Sequence, residues 1–264
     1  MNLKNIIQNI TEKELNSISQ EYEDFITNKP FITGENRADL LQPAGKQHYR
    51  LLAYLSSLFH HQTIIEIGTH TGLSALALSF NPTNHIHTFD IFDKIIPDIK
   101  AGNCPNISPH IENLMEPDVR AKWKETILAC PFIFIDIDPH NGHMEYELYE
   151  YLKSIEYKGF VVFDDIWYFK PMRNHFWYKI PPTEKHDLTS IGHFSGTGII
   201  LGEVCTQTVL CPPTICVETS PKWTLVTAYF NLTKCPDASA EIKARGSDYY
   251  LEHATSTLSI SYLL

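Results

Sequence analysis

The amino-acid sequence predicts an α/β fold: a doubly wound, mostly parallel sheet with helices on both faces. Three observations carry this. Thr63–Ser79 runs from a short β-branched apolar stretch through a polar turn with glycines at 68 and 72 into a small apolar run. That is the strand, glycine turn and helix with which such a sheet opens a ligand crevice. Two further apolar runs, Phe132–Ile135 and Gly159–Phe163, end in acids, Asp136 in one case and Asp164 with Asp165 in the other. A fourth run, His85–Phe89, ends on Asp90, and amphipathic stretches separate these strands. Acids at the carboxyl ends of parallel strands lie where open α/β sheets bind their ligands.

Taken in order, Asn2–Ile26 places Leu3, Ile6, Ile7, Ile10, Leu15, Ile18, Tyr22 and Phe25 at helical spacing. Thr11 with Glu14 three residues later makes a capping box, so two short helices are expected, serving as a helical cap, a lid or a dimer face. A third helix is expected over Lys46–Leu55, leading into the central strand. Within the glycine turn, Glu66, Gly68, Thr69, His70, Gly72 and Ser74 are the candidate ligand-binding residues, the glycines because they let a ligand approach the backbone. Ser74 has two readings, a ligand contact and a helix N-cap. Asp90 lies roughly 20 residues beyond the turn, where a carboxylate bonds ribose hydroxyls; it also reads as a solvated strand end. A short strand near Pro109–Ile111 would place Glu112 and Asn113 beside the crevice. Pro117–Ala129 reads as an amphipathic helix with proline in its first turn. Tyr146, Leu148, Tyr149 and Leu152 mark one face of the next helix. His186–Leu201 reads as two strands joined by a glycine-rich turn. Aromatic residues of Phe169–Glu184, Trp177 and Tyr178 among them, are candidates for a substrate wall. Beyond Gly202, Cys205–Pro221 has linker character, Trp223–Phe230 reads as a strand and Asp248–Leu258 as a helix.

Composition narrows the function. A formal net charge of −10 disfavours a nucleic-acid partner, since phosphate binding needs a basic surface. No apolar run reaches the ~18 residues of a membrane span. Met1–Gln20 is polar and amphipathic rather than a secretion signal. The six cysteines form no C-x-x-C pair and are expected to be reduced thiols in a cytoplasmic protein, the sequons at Asn9, Asn106 and Asn231 being incidental. Paired acids repel and raise one another's pKa unless a cation neutralises them, so Asp136, Asp164 and Asp165 suggest an oxygen-ligand site for Mg²⁺ or a similar hard cation.

The run Glu66-Ile67-Gly68-Thr69-His70-Thr71-Gly72 resembles the first motif of class I S-adenosylmethionine (SAM) methyltransferases. With Gly45-Lys46-Gln47 before it, and Asp136, Asp164 and Asp165 after it, residues 40 to 205 resemble the metal-dependent O-methyltransferases. These include the catechol and caffeoyl-CoA type and their sugar and small-molecule relatives. The runs Asp136-Ile137-Asp138-Pro139-His140, Asp164-Asp165-Ile166 and Gly192–Gly198 are similar to those of one subgroup. The resemblance implies a Rossmann-like seven-stranded sheet with its last strand antiparallel. It implies SAM over Gly68–Ser74 with Ser74 at the methionine carboxylate, ribose on Asp90, adenine near Asn113, and the cation on Asp136, Asp164 and Asp165. Catechol-type members carry a lysine as general base where this chain has Pro139. His140 follows, and an imidazole suits proton transfer near neutral pH; His143 and His193 are further candidates, and each also reads as a loop residue. Asp136 and His140 are thus the candidate catalytic residues.

The expected organisation is a helical cap over 1–45, a SAM-dependent methyltransferase domain over 46–205, and a linker with C-terminal extension over 206–264. That tail resembles the opening of a glycosyltransferase family in Thr224–Asn231 and Tyr249–His253. The function expected is O-methyl transfer to a small-molecule hydroxyl, preferably of a sugar or glycan, with a catechol-like phenol next. No nucleic-acid or membrane partner is expected; a homodimer is an open possibility. Two readings compete: an NAD-type oxidoreductase, opposed by the missing G-x-G-x-x-G, and a non-catalytic binding module, opposed by the intact acids.

Overall fold

The computed structural model describes residues 3–202, 217–220 and 223–226. The chain divides into two compact units, Met1–Val209 and Leu210–Leu264. The first holds a seven-stranded sheet of β1 (Thr63–Ile67), β2 (His85–Asp90), β3 (Ile107–Ile111), β4 (Phe132–Ile135), β5 (Phe160–Asp164), β6 (Lys185–Asp187) and β7 (Thr197–Leu201), in the order 3-2-1-4-5-7-6. Strands β1 to β5 pair in parallel, and β7 runs antiparallel to both β5 and β6. This is the Rossmann-like sheet with an antiparallel closing strand that the sequence predicts. Sequence order reverses across β1 and β4, the switch point where such sheets open a crevice.

Nine helices among the described residues cover the two faces: α1 (Leu3–Gln8), α2 (Glu12–Ser17), α3 (Ser19–Thr27), α4 (Gly34–Leu40), α5 (Tyr49–Ser57), α6 (Leu73–Leu78), α7 (Pro117–Ala129), α8 (His143–Ser154) and α9 (Lys170–His175). Strand side chains alternate between faces, and the core divides accordingly. Ile64, Phe132, Phe134, Phe160 and Val162 pack with Ile7, Leu15, Tyr22, Leu51 and Leu76 from the first six helices. Ile65, Ile133, Ile135, Val161 and Phe163 pack with Ile127, Leu148 and Met172 from the last three.

Thr11 makes the predicted capping box with Glu14 at the start of α2. The second expected helix is interrupted at Ile18, which caps both α2 and α3. The Lys46–Leu55 helix begins later, at Tyr49, after a turn in which Gly45 takes φ +80°. In the second unit, Val217–Ser220 (β8) pairs antiparallel with Trp223–Val226 (β9). Part of the expected linker is therefore a strand. The predicted Asp248–Leu258 helix lies outside the described residues. No described helix is long and apolar enough to cross a membrane.

The join between β1 and the glycine turn gives Gly68 a steric reason beside the expected ligand approach. A Cβ added to Gly68, at φ +102°, would sit 1.7 Å from the Asp136 carbonyl oxygen. Glycine is required there because the chain leaving β4 passes against it. Gly68→Ala should therefore lower stability by roughly 3 kcal/mol or more in urea unfolding, combining backbone strain with overlap that cannot relax sideways. Gly34→Ala, at φ +57° with nothing within 4 Å, should cost only about 1 kcal/mol. Equal losses at the two positions would rule out the steric account.

Candidate active site at the carboxyl edge of the sheet

Ile67 pairs with Phe89 and with Ile135, and Ile135 with Phe163. These four residues form one row across the sheet, so the next position on each strand is Gly68, Asp90, Asp136 and Asp164. The row brings the glycine turn and three of the predicted acids to one edge. Five non-glycine residues have positive φ among the described residues, and three of them, His70 (+44°), His140 (+52°) and Asp165 (+60°), follow β1, β4 and β5 on this edge. Asp and His tolerate that region better than most side chains, and such strained backbone concentrates at functional sites.

The turn after β1 is held from below and from the side. The amides of Gly68 and Thr69 both donate to the Phe89 carbonyl, at 2.8 and 3.2 Å. Asp90 accepts the His70 amide at 2.7 Å and the Phe92 amide at 2.9 Å. It thus ties β2 to the turn and stays partly exposed at the crevice. Thr69 and Thr88 hydroxyls lie 2.5 Å apart, and Thr88 donates to Glu66. Gly72, at φ +86°, is the N-cap of α6, which leaves Ser74 within the helix and corrects the N-cap reading of that serine. Ser74 is 8 % exposed. Asn113 accepts the Met115 amide at 2.9 Å, a turn that leads toward α7.

Glu66 is fully buried, and its Oε1 has no hydrogen-bond partner among the described residues. Burial drives its carboxyl up to about 7, opposed by the Ser74 and Thr88 hydroxyls. It therefore underlies the turn and does not face the crevice openly.

The second half of the edge carries the acids and imidazoles. Burial alone would raise Asp164, but the His48 and His193 imidazoles outweigh it and hold the carboxyl below the usual range. His193 Nδ1 is 2.8 Å from Asp164 Oδ2, and His48 Nδ1 is 3.1 Å from the same oxygen. Burial and the charge of Asp164 both push Asp136 and Asp165 upward. For His193, burial opposes protonation, and the bond to Asp164 reverses the balance and raises its pKa. His140 Nδ1 is 3.3 Å from Asp165, its Nε2 is 3.3 Å from Asp138, and its ring stacks on Phe169 at 4.9 Å. Two groups of donors result, each with ligand atoms within 4.8 Å of one another: His48, Asp164 and His193, and Asp136, His140 and Asp165. The three predicted metal acids thus share an edge but are divided between the two groups.

Other expectations fare differently. His143 is exposed at the start of α8 and stacks on His175 at 4.3 Å. Trp177 is buried at 3 % exposure beside the fully buried Phe176, so it builds core rather than a substrate wall. Tyr178 of the same segment is exposed, as are Tyr168 and Phe194 outside it. Ile91 and Phe92 expose apolar surface directly after Asp90. Sequence reasoning passed over His48 altogether; its one signal was its place immediately after Gly45-Lys46-Gln47.

No protein-family model and no curated protein sequence matches the chain. The solved structures similar to it include the O-methyltransferase from Bacillus cereus in complex with SAH. That protein is 14 % identical, with 75 % of this chain and 96 % of that one covered at a TM-score of 0.45. A SAH-bound Podospora anserina methyltransferase is also similar, at 13 % identity, 70 % and 87 % coverage and a TM-score of 0.42.

Glu66 gives a test of the buried floor. A carboxyl raised from 4.5 to about 7 adds stability that is complete below its unfolded pKa and is lost as pH rises through the folded one. That shift is worth roughly 3 kcal/mol. The melting temperature of the parent protein should fall between about pH 5 and about pH 8. In Glu66→Gln the fall should be visibly smaller, the remainder coming from the other groups shifted upward, Asp136, Glu145, Asp165 and His193. Superimposable pH profiles would show that Glu66 ionises freely.

Proposed function

We propose that this protein is a SAM-dependent, divalent-metal-assisted O-methyltransferase acting on a hydroxyl of a small molecule, preferably a sugar or glycan. The observation that supports this most is the single register row holding Gly68, Asp90, Asp136 and Asp164. It sets a glycine turn one strand from Asp136 and two from Asp164, with a ribose-type carboxylate on the strand at the turn's other side. The acids fit a cation on their own chemistry: Asp136 and Asp165 are pushed toward the neutral form by burial and by Asp164, the pattern left by negative charges that lack a counter-ion.

In this reading SAM supplies an electrophilic methyl group, and a divalent cation supplies positive charge beside the acceptor oxygen. The chain's residues do the rest. The turn Gly68–Ser74 and Asp90 hold the nucleoside, with Ile91 and Phe92 offering apolar surface next to that carboxylate. Asp136, Asp164 and Asp165 hold the cation. His140 takes the acceptor's proton at Nδ1, the nitrogen facing Asp165, and the ring is steadied by Asp138 and Phe169. Tyr168 and Phe194 give aromatic faces suited to a sugar or phenol ring. The runs Asp136–His140 and Asp164–Ile166, and the tail's resemblance to a glycosyltransferase opening, favour sugars over catechols.

Transfer from labelled SAM to a panel of monosaccharides, glycosides and catechols tests this directly. Methylated sugar is expected, and it should disappear in excess chelator while SAM binding persists. His140→Ala should keep metal and SAM binding and lose rate by ~10²–10⁴-fold, the scale of a positioned acid–base group. Turnover undiminished in chelator with metal-free protein would refute metal assistance, and absence of any SAM binding would refute the reading as a whole.

A further inference from the structure

We propose that His48, Asp164 and His193 form a binding site for one divalent transition-metal ion of the Mn²⁺, Fe²⁺, Co²⁺ or Zn²⁺ class. This deepens the metal part of the function proposed above, keeping Asp164 as a ligand and setting His48 and His193 in place of Asp136 and Asp165; it rests on that reading only for what the ion would do. It differs from an all-oxygen Mg²⁺ site by two nitrogen donors.

The geometry begins with His48. It lies just before α5, 3 % exposed, with its ring against Phe134 at 5.1 Å. A buried imidazole normally hydrogen-bonds through at least one ring nitrogen. Here neither nitrogen has a hydrogen-bond partner among the described residues. Yet Nδ1 stands 3.1 Å from Asp164 Oδ2, a suitable distance without suitable alignment. An imidazole and a carboxylate that approach closely but do not point at each other are placed as two ligands of a common centre would be.

His193 shows the complementary anomaly. Its Nδ1 has two oxygens around it, Asp164 Oδ2 at 2.8 Å and Ser195 Oγ at 2.6 Å. One ring nitrogen carries either a hydrogen or a lone pair, so it bonds one of them in full. The rings of His48 and His193 meet edge to face at 5.2 Å, bringing both Nδ1 atoms to the same carboxylate oxygen. Neighbouring donors around a cation with bonds of ~2.1 Å lie about 3.0–3.4 Å apart, from octahedral to tetrahedral. The observed 2.8 and 3.1 Å are close to that spacing.

Two backbone contacts hold the donors together. A Cβ on Gly45 would come 2.7 Å from the Ser190 carbonyl oxygen, so the turn before His48 is seated on the loop before His193. The His193 amide donates to Thr197 Oγ1 at 2.8 Å, fixing that loop to β7 beside Asp164. Two imidazoles with one carboxylate form a borderline donor set. Such sets suit first-row transition ions, whereas Mg²⁺ takes oxygen and water.

The test uses the full chain, stripped of metal, without SAM or acceptor. Titration calorimetry with Mn²⁺, Co²⁺, Zn²⁺ and Mg²⁺ should show one transition-ion site that binds well ahead of Mg²⁺. His48→Ala and His193→Ala should each weaken it by at least the ~10–100-fold that losing even an outer-shell partner costs, while His140→Ala leaves it near the parent value. Electron paramagnetic resonance of bound Cu²⁺ should show two coordinated nitrogens in the parent and one in each variant. His193 lies in a loop, so its variant remains informative if His48→Ala does not fold. Transition-ion affinity no better than that of Mg²⁺ would overturn the proposal. So would binding that survives both histidine changes and is lost with His140→Ala or Asp136→Asn. Binding of SAM by the same variants, read separately, keeps the outcomes apart: a protein that holds the ion as stated but never binds SAM retains this site and loses the methyltransferase reading.

Discussion

The crevice depends on one electrostatic constraint: three carboxylates, Asp136, Asp164 and Asp165, stand together at the end of a sheet buried on both faces. Like charges at that spacing, out of water, cannot all ionise without a counter-charge. The fold meets part of the cost through the strand alternation that also divides its core. Even-numbered residues of β5 face the layer of α1 to α6, and Asp164 continues that series to meet His48, just before α5. Asp165 follows on the other parity and meets His140, just before α8. The paired acids are thereby distributed to opposite layers, each supplied with an imidazole. Burial and the charge of Asp164 outweigh the nearby imidazole of His48 at Asp136 and push it toward the neutral form.

Much of this frame was legible in the sequence because it is written in local chemistry. Phe132–Ile135 is uniformly apolar because it is buried on both faces, and α7 spans Pro117–Ala129 as read, since proline suits the first turn and cannot sit deeper. The acids at the strand ends were legible for the same reason. What was not legible depends on residues distant in sequence. The need for glycine at 68 arises from the Asp136 carbonyl, and nothing near position 68 announces it. Trp177 and Tyr178 are adjacent aromatics, yet one is core and the other exposed, which only the packing of Phe163 and Phe176 decides.

The histidines make the same point within the site. The sequence offered His143 and His193 as further candidates behind His140. The fold sends one to a surface stack with His175 and the other to a buried carboxylate. His48, whose one local signal was its place after Gly45-Lys46-Gln47, ends with both ring nitrogens enclosed beside that carboxylate. The role of an imidazole here is set by the partner it is folded against.

The register row through Gly68, Asp136 and Asp164 also carries a metric. Adjacent strands are separated by the backbone hydrogen bond, about 4.8 Å, so the turn after β1 and the acid that ends β5 are about 10 Å apart through two such steps. No side-chain substitution alters that interval without removing a strand. Anything that must touch both ends of the crevice is therefore gauged by the sheet itself. The rim aromatics Tyr168 and Phe194 lie off this ruler, on loops, where differences in the size and shape of a bound molecule are left to be accommodated.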